Sequence, residues 1–227
     1  MKAAAMNSST RPPQPSPSPA GRSQTLALVP LGIALNLTLG TLVHALKAPV
    51  YLDAIGTIIL SLLGGFRMGA AVGVSSFLIG GLLTNPVLPW FSGTQAVIAA
   101  YVYIVGARGG FRSLPRTVVA GLGLGVVAGI ASAPVIVALF GGVTGSGASI
   151  LVAFLLASGK TLLNSVLLSG LAAEPLDKLL QCLIAIWLIG RLPPRLLDRL
   201  APDLRNKIPG PLQKARREPP SASDSVR

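Results

Sequence analysis

The chain has 227 residues, of which 51% are hydrophobic and only 11% are charged, and its formal net charge is +12. Several apolar runs approach about 20 residues, the length that crosses a bilayer core as a helix. The aromatic content of 5% and the runs of Leu, Val, Ala and Gly argue against an outer-membrane barrel. The composition therefore predicts an all-α membrane protein with several spans.

The positive charge is concentrated in the tails and in one short loop. Residues 191–227 hold nine Lys/Arg and four Asp/Glu. This distribution indicates membrane topology and attraction to anionic lipid, because short cytoplasmic segments carry an excess of Lys and Arg. We therefore expect the lipid bilayer, and no nucleic acid, among the partners.

Residue types that carry catalysis or bind metals are scarce. Cys182 and His44 are the single cysteine and the single histidine, which excludes a disulfide framework and a His cluster within the chain. Gly159-Lys160-Thr161 resembles the end of a phosphate-binding loop, but Phe154 occupies the position of its first glycine. We expect no catalytic residues, no metal site and no cofactor, and hence a protein that is not an enzyme.

Three regions are predicted along the chain. Residues 1–24 are rich in Pro and Ser and predict a disordered tail, residues 25–192 a transmembrane helical domain, and residues 193–227 a basic, Pro-rich cytoplasmic tail. The first span, at about residues 25–46, carries Gly32, Asn36 and Gly40 at a spacing of four. This face of small residues predicts close helix packing, either within the chain or as the docking face for a partner subunit.

A helical hairpin follows, made of the apolar runs Pro49–Gly65 and Met68–Thr84. Asp53 lies in the first run, and the spacing predicts that Thr57 and Ser61 share its helical face. The second run ends in a loop with two prolines, Asn85–Trp90, which cannot be helical throughout. Trp90 fits either ligand stacking or the aromatic belt of the outer membrane interface.

Four further elements are expected. A fourth span covers about residues 94–107, and a fifth covers about residues 115–140 with a stripe of small residues every fourth position, which predicts close packing. A Gly-rich loop at 141–149 precedes residues 150–171, which are long enough to span but carry several polar side chains. The last apolar run covers about residues 176–192. The stripe of the fifth span consists of Gly121, Gly125, Gly129 and Ala133.

The charges of the loops predict six spans. Arg67 and the loop with Arg108 to Arg116 mark the cytoplasmic side, whereas residues 85–93 and 141–149 are uncharged and are expected outside. A full crossing by residues 150–171 would place the basic C-terminal tail outside. We therefore predict a six-helix transmembrane bundle in a cell membrane, with residues 150–171 as a re-entrant or capping segment and both termini cytoplasmic. Seven spans are the alternative.

Asp53 carries the strongest functional signal, because an ionisable group in a membrane segment is a functional-site hypothesis by default. Lys160 is its expected partner, and a second polar face consists of Asp177, Lys178 and Gln181. The alternative is a Lys–Asp pair that only neutralises charge inside the bundle. We predict a small-molecule site toward the outer side. The predicted substrate-binding residues are Asp53, Thr57, Asn85, Trp90, Gln95, Lys160 and Asn164.

The stretch YLDAIGTIILSLLGGFRMGAAVGVSSFLIGGLL, preceded by one span and followed by a Pro-containing loop, resembles the substrate-binding S component of energy-coupling factor (ECF) vitamin transporters. The sequence Glu174-Pro175-Leu176-Asp177-Lys178 is similar to the segment that leads into the sixth helix of that family. The resemblance covers roughly residues 25–195. The docking face of the first helix in the family is usually Ala-x-x-x-Ala, whereas this chain has Gly32, Asn36 and Gly40.

The resemblance implies a six-helix bundle that binds a small, water-soluble, vitamin-like compound near its outer face. It also implies partners, namely an ECF scaffold membrane subunit and two cytoplasmic ATPase subunits. A membrane protein that senses a ligand, or acts as a scaffold, and signals to a cytoplasmic partner is the alternative.

Overall fold

The computed structural model describes residues 19–48 and 50–192, and within these residues it is entirely helical. The predicted all-α class is therefore confirmed. The predicted cytoplasmic tail, and most of the predicted N-terminal tail, lie outside the described residues. The elements are α1 (Pro19–Ala45), α2 (Ile55–Gly64), α3 (Phe66–Leu83), a 3-10 helix (Leu88–Phe91), α4 (Ser92–Ala107), α5 (Leu114–Phe140), α6 (Ala148–Ala157) and α7 (Leu162–Arg191).

Four stretches are long and apolar enough to cross a membrane: Ala27–Ala45, Phe66–Leu83, Leu88–Ala107 and Leu114–Phe140. Helices α2 and α6 have 10 residues each. At 1.5 Å per residue each rises about 15 Å, about half of a bilayer core. Helix α7 has 30 residues, which is ample length, but it carries three charged side chains near its middle. These apolar helices indicate that the chain is a membrane protein.

The predicted hairpin is present, with boundaries that differ from the prediction. Helix α2 begins only at Ile55, so Asp53 lies in the connection before it and does not share a helical face with Thr57. Gly65 joins α2 to α3 with φ of 82°, a conformation that favours glycine. A Cβ atom at Gly69 of α3 would lie 2.8 Å from Cβ of Ser61 in α2, so the two backbones are very close.

The glycine stripe of α5 packs against α7, as its spacing predicts. A Cβ atom at Gly121 would lie 2.8 Å from Cα of Leu179, and one at Gly125 would lie 2.5 Å from the carbonyl oxygen of Glu174. No side chain fits between the two backbones at these positions, and α5 with α7 is the most extensively packed helix pair. This contact fixes the position of Glu174 relative to α5.

Residues 150–171 are divided between two helices, so the predicted boundaries of this segment are wrong, whereas its re-entrant or capping role stays a prediction. Helix α6 ends at Ala157, Gly159 follows with φ of 82°, and Thr161 then caps α7 by accepting a hydrogen bond from the backbone N–H of Asn164. A positive-φ glycine and a Thr N-cap stop one helix and start the next. Helix α7 then runs through Pro175 without a break, although the sequence suggests a new helix there.

The two ends of the bundle differ in charge. The α2–α3 junction, the α4–α5 loop and the end of α7 meet at one end, where Leu62, Phe111 and Ile189 belong to a single core cluster. The connections α1–α2, α3–α4 and α5–α6 meet at the opposite end, where their residues line common cavities. The exposed arginines of the first end are Arg67, Arg108, Arg112, Arg116 and Arg191.

Candidate small-molecule site

Two adjoining cavities lie at the end of the bundle away from the arginines, with volumes of about 160 and 100 Å³. Seven residues line both cavities, so the two adjoin and occupy one space at this end of the bundle. Their walls come from the ends of α1, α3 and α5, the start of α4, the middle of α7 and the connecting loops. The shared residues are His44, Tyr51, Asp53, Phe77, Asn85, Leu88 and Ser146.

A cluster of one ammonium and three carboxylates borders this space. Lys178 Nζ lies 2.6 Å from Asp177 Oδ2, 3.3 Å from Asp53 Oδ1 and 3.5 Å from Glu174 Oε2. The side chains of Lys178 and Asp177 are 4% and 0% exposed, and those of Asp53 and Glu174 are 19% and 10% exposed. Burying charges is costly unless they are paired and hydrogen-bonded, so Lys178 holds the cluster together.

Asp177 fixes the loop that carries Asp53. Its Oδ1 accepts hydrogen bonds from the backbone N–H groups of Tyr51 (2.8 Å) and Leu52 (3.0 Å). Leu52 has φ of 49°, a region that bulky residues rarely adopt and that needs support from neighbouring groups. Gln181, one turn further along α7, accepts a bond from the backbone N–H of Ala54 at 2.9 Å. Helix α7 thus replaces the helical hydrogen bonds that this loop lacks.

A second polar network lies beneath the charged cluster and joins the first four helices. Asn36 Nδ2 donates to Thr57 Oγ1 (3.0 Å) and to Ser76 Oγ (3.2 Å), while its Oδ1 accepts from Gly56 N (2.7 Å). Thr57 in turn donates to Gln95 Oε1 at 2.8 Å. All three bonding groups of the Asn36 amide are used, so this network positions the helices rather than offering free groups to a ligand.

Tyr51 of the α1–α2 loop lines both cavities and lies beside the charged cluster. The ring of Tyr51 also faces the Lys178 ammonium at 5.5 Å, within the range of a cation–π contact.

No family model, no curated protein and no solved structure matches the chain. The site offers two incompletely paired carboxylates, a buried ammonium, amide and hydroxyl groups and the side chains of two phenylalanines. Such a set can hold a small polar molecule by directed hydrogen bonds. Within the described residues, no three His, Cys, Asp or Glu side chains are placed to hold a metal ion.

Three of the predicted substrate-binding residues line the cavities. Asp53 and Asn85 line both, and Gln95 lines the second. The Gln95 amide also contacts the backbone carbonyl of Asp53 at 3.4 Å. Thr57 is fully buried behind Gln95 and reaches the site only through that residue. Three of the seven predicted residues thus meet at the same cavities, and their role in substrate binding stays a prediction.

Lys160, Asn164 and Trp90 lie elsewhere. Lys160 and Asn164 are exposed around the turn between α6 and α7, and Trp90 is 59% exposed without lining either cavity. The expected ion pair between Asp53 and Lys160 is wrong, because Lys178 is the lysine beside Asp53. The exposed position of Trp90 agrees with the aromatic-belt alternative.

The proposed docking face, Gly32, Asn36 and Gly40, is covered by the chain itself, which corrects that assignment in favour of packing within the chain. A Cβ atom at Gly56 of α2 would lie 2.7 Å from the carbonyl carbon of Gly32. Asn36 is 2% exposed, and a Cβ atom at Gly40 would lie 3.2 Å from Cβ of Asp53. Gly32 and Asn36 therefore let α1 pack closely on α2 and α3, and Gly40 borders the first cavity.

Sequence reasoning left several cavity residues out of the predicted site. Tyr51 and His44 line both cavities but are not among the predicted substrate-binding residues. Glu174 and Lys178 were visible as charges in an apolar run, a signal that by itself marks an intramembrane functional residue. The sequence does not show that α7 packs against the α1–α2 loop. This packing brings Glu174 and Lys178 beside Asp53.

Proposed function

We propose that the chain captures a small water-soluble compound, similar to a vitamin, as the substrate-binding subunit of an ECF-type transporter. The observation that carries the proposal is the cavity at one end of the helical bundle, lined by buried charged side chains. Asp53, Glu174 and Lys178 all line its second part. Pockets with apolar walls and a few convergent polar groups are the usual form of small-molecule sites.

Burying the charged cluster costs free energy, and this cost favours a functional role for the cluster. Intramembrane Asp, Glu and Lys are expensive and generally mark substrate or ion pathways. A purely structural Lys178–Asp177 pair would need no further carboxylates, yet Asp53 and Glu174 also face the same ammonium. Their position on the cavity wall supports a role in binding rather than in folding alone.

The proposed topology has six crossings, with the cavity facing outward. The five exposed arginines at the opposite end would lie on the cytoplasmic side, because cytoplasmic loops are rich in Lys and Arg. Helix α2 would cross together with the extended loop before it, and α7 would form the last crossing. In this arrangement α6 and the start of α7 are a helical hairpin that enters and returns on the outer side, and both termini are cytoplasmic.

The proposed partners are a scaffold membrane subunit and two ATPases, since the sequence contains no nucleotide-binding motif that could energise uptake. The scaffold would use a surface other than Gly32, Asn36 and Gly40, because these positions pack inside the bundle. Exposed apolar residues of α3, such as Leu82 and Leu83, are available to lipid or to a partner helix.

The test is ligand binding by the purified protein. Native mass spectrometry in a mild detergent should detect a co-purifying small molecule, and a panel of water-soluble vitamins should contain a compound that raises the unfolding temperature saturably. The variant Asp53→Ala should lose that compound, whereas Arg116→Gln, exposed at the opposite end, should keep it. A protein that holds no small molecule, but captures a cytoplasmic protein, would instead support the scaffold alternative.

A further inference from the structure

The four charges at the cavity do not balance. Three carboxylates, Asp53, Glu174 and Asp177, face the single ammonium of Lys178. Asp177 takes the shortest contact with Lys178 and also accepts hydrogen bonds from Gln181 and two backbone N–H groups. Lys178 and Asp177 therefore satisfy one another, and two carboxylates are left with only the longer contacts to the same ammonium.

Glu174 is the less satisfied of the two. The residue is only 8% exposed, and its Oε2 accepts no hydrogen bond from the described residues. Its contact with Lys178 is 3.5 Å long, and it lines the second cavity. A buried carboxylate oxygen without a donor is costly, and a donor that enters the cavity would remove that cost.

Asp53 reaches the same cavity from the other side. Its carboxyl is the most exposed of the three, and it lines both parts of the space. Its Oδ1 lies 3.3 Å from Lys178 Nζ, a longer contact than the 2.6 Å of Asp177, so the ammonium compensates its charge only in part. The other titratable groups on the wall are Tyr51, which stays neutral, and His44, so within the described residues Lys178 is the only permanent cation there.

We propose that the compound bound in this cavity is a cation, with a protonated amine or a positively charged heterocyclic nitrogen placed between Glu174 and Asp53. A ligand of this kind supplies N–H donors to the carboxylates of Glu174 and Asp53 and offsets the excess negative charge. An anionic ligand would add a further negative charge to an acidic site and would have only the already paired Lys178 to contact. This inference names the substrate class and rests on the proposed binding function.

The experiment compares ligands that differ mainly in charge. Pyridoxamine, pyridoxine and 4-pyridoxate share one ring and carry an aminomethyl, a hydroxymethyl and a carboxylate group, and thiamine adds a second, unrelated cation. Dissociation constants are measured by calorimetry or by thermal shift in detergent, and any molecule that co-purifies is identified by mass spectrometry. We expect the cations to bind at least about tenfold more tightly than the neutral and anionic compounds, which corresponds to about 1.4 kcal/mol.

Variants test whether the two carboxylates cause the preference. Glu174→Gln keeps the shape of the side chain and should weaken binding of the cations at least about tenfold, with little effect on pyridoxine. Asp53→Asn is the second variant and should act in the same direction, so the test survives if one of them folds poorly. The control is Arg116→Gln, which changes charge at the exposed opposite end and should leave the order of affinities unchanged.

The outcomes separate the two proposals. Tight binding of a neutral or anionic compound, with cations excluded, overturns the charge assignment while the binding function stands. A cation preference that persists unchanged in both Glu174→Gln and Asp53→Asn also overturns it. If no compound of any charge binds and none co-purifies, the binding function fails, and the charge assignment fails with it.

Discussion

Lys178 donates a hydrogen bond to Asp177, its immediate neighbour in α7, at 2.6 Å. Neighbouring residues on a helix normally point in different directions. Here both face the α1–α2 loop, since Asp177 Oδ1 accepts two backbone N–H groups of that loop while Oδ2 accepts from Lys178 and Gln181. One carboxylate therefore connects the backbone of the loop with the ammonium that Asp53 and Glu174 share.

Removing the ammonium should destabilise the protein strongly. Lys178→Met leaves three buried carboxylates without their common cation, and breaking a buried ion pair typically costs about 3–5 kcal/mol. Lys160→Met is the matched control, because Lys160 is exposed, and it should change stability by less than about 0.5 kcal/mol. Unfolding in a graded detergent mixture measures the stability of both variants. Equal stability of the two variants would mean that Lys178 does not hold the cluster together.

The close approach of α5 and α7 should be sensitive to a single methyl group. Gly125→Ala places a Cβ atom against the backbone of Glu174 and Pro175, so the helices must separate at a cost of about 1–3 kcal/mol or more. Gly93→Ala is the control, since that helical glycine has no atom within 4 Å of the added methyl group. Thermal unfolding should show a clear drop for Gly125→Ala alone. An unchanged midpoint would place the glycine stripe outside the helix interface.

The side-chain amide of Asn36 should contribute strongly to the stability of the fold. Asn36→Ala leaves the backbone N–H of Gly56 buried without an acceptor and removes two further bonds, a loss of about 1–3 kcal/mol. Asn164→Ala, at an exposed position, removes the same side chain without these bonds and should have little effect. The measurement is the free energy of unfolding of each variant. Similar values for both variants would contradict a structural role of the network.

The two ends of the bundle should label from opposite sides of the membrane. The native Cys182 is fully buried, so a membrane-impermeant maleimide should not react with the parent protein in intact cells. Val143→Cys, at the cavity end, should react in intact cells, whereas Arg112→Cys should react only after lysis. The reverse pattern would place the cavity on the cytoplasmic side and would contradict capture from outside.

Much of this fold could be predicted from local sequence patterns. The spacing of small residues predicts the α5 stripe, and two apolar runs joined at Gly65 predict the α2–α3 hairpin. Asp53, Asn85 and Gln95 could be assigned to one site because the ends of consecutive helices alternate between the two ends of a bundle. These inferences depend on local sequence patterns and on the order of the helices along the chain.

The failures come from contacts that are distant in sequence. The sequence predicts that the last helix begins near residue 176, directly after Pro175. The helix continues there, and Gly125 leaves room for α5 to pack directly against its backbone. Asp53 pairs with Lys178 rather than with Lys160 because of the face that α7 presents to the α1–α2 loop. The sequence pattern of one helix does not specify which element packs against it.

The hydrogen bonds between α7 and the α1–α2 loop also constrain how the protein is made. Tyr51, Leu52 and Ala54 donate to residues 125 to 127 positions later in the chain, on α7, which leaves the ribosome after the other described helices. Until that helix arrives, three backbone N–H groups beside Asp53 lack their partners and would be costly inside lipid. We therefore expect the hydrogen bonding of the α1–α2 loop to be completed only after α7 has been inserted.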